Sequence, residues 1–61
     1  RDAGLNTKID TQFDAVQSLL DEAKDGDGYV TYDKLTKDQI KAMSDAVNAL
    51  GESLAEVSAV L

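Results

Sequence analysis

From Ile40 onward the apolar residues fall at alternating steps of three and four. The series is Ile40, Met43, Val47, Leu50, Leu54, Val57 and Leu61. That is an a/d heptad pattern over three repeats, and it predicts an amphipathic helix whose seam another helix must cover. Upstream, Leu5, Ile9, Phe13, Val16 and Leu20 recur at about one helical turn, joined by Leu19 and Ala23. Thr7, Asp10, Asp14, Gln17, Ser18 and Asp21 occupy the other face. This predicts a first helix over about 3–23 with a broad apolar stripe. Asp2 is placed to cap it, and Gln12 sits either at the edge of the stripe or as a polar layer within it.

Residues 24–36, KDGDGYVTYDKLT, break this period. Two Asp-Gly pairs mark turns, and Tyr29, Val30, Thr31 and Tyr32 favour an extended backbone. Thr36 followed three residues later by Gln39 reads as a capping box opening the second helix, over about 37–61. The expected fold class is all-α. Two helices joined by a loop of 12–13 residues would form a helical hairpin, or a coiled-coil or bundle oligomer.

The flanks of the second seam modify that picture. Its e positions hold Ser44, Gly51 and Ser58, and its g positions hold Ala46, Ser53 and Val60. A two-stranded zipper places charges there. Small uncharged residues widen the buried face instead, which suits a hairpin or a three- or four-helix arrangement. Gly51 costs about 1 kcal/mol relative to Ala inside a helix, tolerable where another backbone packs closely. The charges Lys41, Asp45, Glu52 and Glu56 lie on the outer face.

Composition narrows the chemistry. The 61 residues carry no Cys, His, Pro or Trp. Thiolate metal sites, disulfides and His-based catalysis are therefore excluded. Twelve acidic against six basic residues give a net charge of −6. Such a surface repels phosphate, which argues against nucleic acid and anionic membranes as partners. No apolar run approaches the roughly 18 residues of a membrane span. The chain starts at Arg1 and its helical pattern runs into Leu61 without a stop signal, so a single unit cut from a longer chain is expected. The sequence indicates no compartment.

One segment carries possible chemistry. Asp25, Asp27, Gly28 and Val30 fall at positions 3, 5, 6 and 8 of a twelve-residue stretch starting at Ala23, which resembles the EF-hand calcium loop. The resemblance implies Asp25, Asp27, Tyr29, Thr31 and Asp33 as oxygen ligands. Ala23 stands where the loop needs Asp, and Lys34 where it needs a bidentate Glu. Weak calcium binding at most is implied, and no other cofactor is expected. The heptad-bearing, acidic, Cys-free pattern also resembles coiled-coil segments of fibrous proteins, including viral tail fibres.

The favoured expectation is therefore a non-enzymatic assembly element. Its interface would be Leu5, Ile9, Phe13, Val16, Leu20, Ile40, Met43, Val47, Leu50, Leu54, Val57 and Leu61. Its partners would be copies of itself or the helices of a host assembly. The alternatives are an EF-hand-like calcium module and an adaptor whose apolar groove accepts a partner helix.

Overall fold

A computed structural model describes residues 3–61. The expected cap at Asp2 lies outside the described residues. Two α-helices, α1 (Ala3–Ala23) and α2 (Lys37–Val60), pack side by side, joined by a loop with one short 3-10 turn, Tyr32–Lys34. There is no strand among the described residues, so the fold is an all-α helical hairpin. Lys8, near the start of α1, lies 3.5 Å from Glu56, near the end of α2, as an antiparallel pair requires. The long dimension of 40 Å is close to the ~36 Å expected of a 24-residue helix rising about 1.5 Å per residue.

The capping box forms as the sequence predicts. The Gln39 backbone N–H donates to Thr36 Oγ1 at 3.1 Å, and the Thr36 N–H donates to Gln39 Oε1 at 2.9 Å. These bonds satisfy two amides that a helix start leaves orphaned. On the outer face of α2, Lys41 Nζ donates to Asp45 Oδ2 at 2.7 Å. That hydrogen bond and the carboxylate's charge raise the Lys41 pKa above its ordinary value.

In the loop, one oxygen of Asp25 organises the turn. Asp25 Oδ1 accepts from the N–H groups of Asp27 (2.9 Å) and Tyr29 (3.1 Å), while the Asp25 N–H donates to the Tyr29 carbonyl (2.9 Å). Gly28 completes the turn at φ 84°, in the left-handed region that an L side chain resists. Beyond it the expectation of extended backbone needs correction. Thr31 is extended, but Tyr32 opens the 3-10 turn, closed by Lys34 N–H to Thr31 O at 3.1 Å and Leu35 N–H to Tyr32 O at 3.3 Å. β-preferring residues gain a strand only when a second strand offers hydrogen bonds, and there is none to pair with among the described residues.

Candidate functional site

The functional surface of this hairpin is its apolar face, and the structure divides that face in two. On α2 the residues withdrawn from water include Met43, Ala46, Leu50, Ser53 and Val57, with Gln39 and Ala49 beside them. Leu50 is 9% exposed and Ser53 only 1%. Met43, Leu50 and Val57 are d positions and Ala46 and Ser53 are g positions, while the last g position, Val60, is 75% exposed. Ile40, Val47 and Leu54, the a positions, remain 50%, 52% and 46% exposed, and Leu61 is 99% exposed. A single partner helix covers only one flank of a wide apolar face. The contact rotates toward Ala46 and Ser53, the small side that lets α1 come closest. Ser53 stays satisfied in that contact, because its Oγ donates to the Ala49 carbonyl at 3.2 Å.

On α1 the shielded residues include Leu5, Ile9, Gln12, Val16, Leu19, Leu20 and Ala23. Phe13 stays 52% exposed, on the flank it shares with Leu20 one heptad later. Gln12 lies within the helix contact. Its Oε1 is sealed from water and has no hydrogen-bond partner. Such an atom costs about 1–3 kcal/mol relative to a satisfied one.

Between the helices, at the loop end, the uncovered flank deepens into a groove of about 520 Å³. Val16 and Leu20 form one wall, and Ile40, Met43, Ser44, Val47 and Asn48 form the other. Tyr32 and Leu35 close its end. Tyr32 remains 63% exposed, and Tyr29, at 74%, lies outside the groove lining. Sequence reasoning placed the apolar residues on one face. It did not single out Ser53 as the most buried side chain. The uncharged g positions were the signal for Ser53.

The loop residues with calcium-ligand spacing are placed as follows. Asp25 spends Oδ1 on two backbone amides, and the Tyr29 carbonyl accepts from the Asp25 N–H. The Thr31 carbonyl accepts from Lys34 N–H, and Asp27 and Asp33 are exposed. Among the described residues, no group of three or more His, Cys, Asp or Glu side chains is placed to hold a metal ion.

Comparison with known proteins gives a different class from the one the heptad suggested. No protein-family model matches the chain. It is 48% identical over 60 residues to an "Efem/EfeO family lipoprotein" of Staphylococcus haemolyticus strain JCSC1435, covering 98% of this chain and 21% of that protein. A lipoprotein of the same description from Staphylococcus aureus strain USA300 is 43% identical over 61 residues, covering 98% of this chain and 22% of that protein. The chain thus spans about a fifth of the length of the curated relatives it matches. These relatives correct the functional expectation. The matched proteins are lipoproteins, not fibrous or viral assembly elements. An a/d heptad is shared by every kind of helical bundle, so it did not discriminate between them.

Proposed function

We propose that this chain is a helical segment of a lipid-anchored protein of the Efem/EfeO lipoprotein type. In that setting it contributes two antiparallel helices to the folded body and carries no reacting group of its own. The observation that carries this reading is the match at 48% identity, which runs through both helices and the loop rather than through a short motif. The half-covered apolar face supports it, because a hairpin exposing Phe13, Ile40, Val47 and Leu54 is poorly suited to stand alone in water. No described helix is long and apolar enough to cross a membrane.

The test is detergent-phase partitioning of the longer polypeptide that carries this chain, expressed with and without functional lipidation. Partition into the detergent phase that is lost when lipidation is blocked is the expected result. Recovery from the aqueous phase in both cases would overturn the reading.

A further inference from the structure

We propose that the Asp27–Gly28 peptide bond is a site of spontaneous modification, at which aspartate rearranges to isoaspartate through a succinimide, and that the fold protects the neighbouring Asp25–Gly26 bond from the same reaction.

The reaction needs a carboxyl carbon and the next residue's backbone nitrogen to meet. The Gly28 nitrogen attacks Cγ of the Asp27 carboxyl group. The N–Cγ bond forms, the amide proton passes to solvent, and the carboxyl hydroxyl leaves with a proton as water. Water then opens the resulting five-membered imide. Attack at Cγ restores aspartate, whereas attack at the main-chain carbonyl carbon breaks its bond to nitrogen and leaves the β-linked isomer. One water leaves and one returns, so no oxidant or other co-reactant is consumed. Glycine after the aspartate favours the step, because no Cβ obstructs the approach or restricts the backbone.

Among the described residues only Asp25 and Asp27 precede a glycine. Asp10, Asp14 and Asp21 lie in α1, Asp33 in the 3-10 turn, and Asp38 and Asp45 in α2, each before a residue with a side chain. Both Asp-Gly pairs are exposed in the loop, yet the turn treats them differently. At Asp25 the carboxyl group is held. Its Oδ1 accepts from the Asp27 and Tyr29 amides, and the residue's own N–H donates to the Tyr29 carbonyl. Turning Cγ toward the Gly26 nitrogen breaks both bonds to the carboxylate, and bonds to a charged acceptor are the stronger kind. At Asp27 no hydrogen bond or ion pair holds the carboxylate. The Gly28 N–H has a single neutral bond to give up, to the Asp25 carbonyl at 3.0 Å. The same dipeptide is therefore pinned at one position and nearly free two residues later.

The product inserts one more backbone atom between Asp27 and Gly28 and keeps the negative charge, now as a main-chain carboxylate. It alters the turn at its tip, away from the buried contact at Leu50 and Ser53. Rearrangement there is compatible with the helices remaining packed.

The test is ageing of the longer polypeptide that carries this chain, in native buffer and in urea. Cleavage after Lys24 and Lys34 releases residues 25–34, which hold both bonds in one peptide. Isoaspartate has the mass of aspartate, so the isomers are separated chromatographically and located by electron-transfer fragmentation. In urea the two positions should rearrange at similar rates. In native buffer position 27 should accumulate isoaspartate at least about tenfold faster than position 25, the difference between losing one neutral bond and two to a charged group. Asp27→Glu, which would have to close a six-membered ring, should abolish the product at 27 and leave the rate at 25 unchanged. Equal native rates, a faster position 25, or product at 27 in urea alone would overturn the proposal. A preference for position 27 as large in urea as in native buffer would overturn it too, since the fold would then not be its cause.

Discussion

Replacing Leu50 by Ala and Leu54 by Ala should have clearly unequal effects, although both residues sit in the same heptad seam. Leu50 is 9% exposed against α1, whereas Leu54 is 46% exposed on the open flank. Removing a buried leucine forfeits its transfer free energy and leaves a cavity, together about 2–5 kcal/mol. In a hairpin this small the neighbours can close in, which puts Leu50→Ala near the low end, at about 2–3 kcal/mol. Leu54 is roughly half shielded and opens onto solvent, so no cavity forms. Half of the ~1.5–3 kcal/mol for burying a leucine side chain leaves about 1 kcal/mol. The difference of about 1–2 kcal/mol corresponds to roughly 4–16 °C in melting temperature for a domain of this size. Thermal and urea melts of the 61-residue variants, followed by helical circular dichroism, measure it. Equal losses at the two positions would refute the division of the face.

Gly51→Ala should stabilise the isolated chain by up to about 1 kcal/mol, because the added methyl meets open space and Ala is the better helix former. An unchanged or lowered melting temperature would show that Gly51 does not face open space. Gln12→Leu should raise the stability of the isolated chain by about 1 kcal/mol or more, as it removes the unpartnered Oε1 from the helix contact; an unchanged urea midpoint would show that atom to be satisfied. Thr36→Ala should cost about 0.5–2 kcal/mol by removing the hydroxyl that receives the Gln39 amide. The loss should appear as fraying at the start of α2, measurable in its amide hydrogen-exchange rates.

What was legible in the sequence is what local rules decide. The apolar period and the Thr36–Gln39 spacing mark two helices and the start of the second, and the Asp-Gly pairs mark the turn between them. What was not legible depends on the number of covering elements. The heptad defines a face but not how much of it one partner reaches. The small residues at 46 and 53 drew α1 toward the g side and left Ile40, Val47 and Leu54 in water. Tyr32 was misplaced in an extended segment because its preference needs a strand to pair with. The functional class was the least legible. An acidic helical hairpin without His or Cys lacks the side chains that most often mark a catalytic or metal centre, and an a/d heptad is shared by helical bundles of many kinds.

The central claim is that this hairpin completes its core only within a longer chain. Native-state hydrogen exchange of the α2 amides between positions 43 and 57 tests it most directly, measured in the isolated 61-residue chain and in the longer polypeptide. Burial of the open flank should slow exchange of these amides in the longer polypeptide by at least about tenfold beyond their protection in the isolated chain, because opening them then requires undocking as well as unfolding. Identical protection in the two settings would contradict the claim and show the hairpin to be a self-sufficient unit.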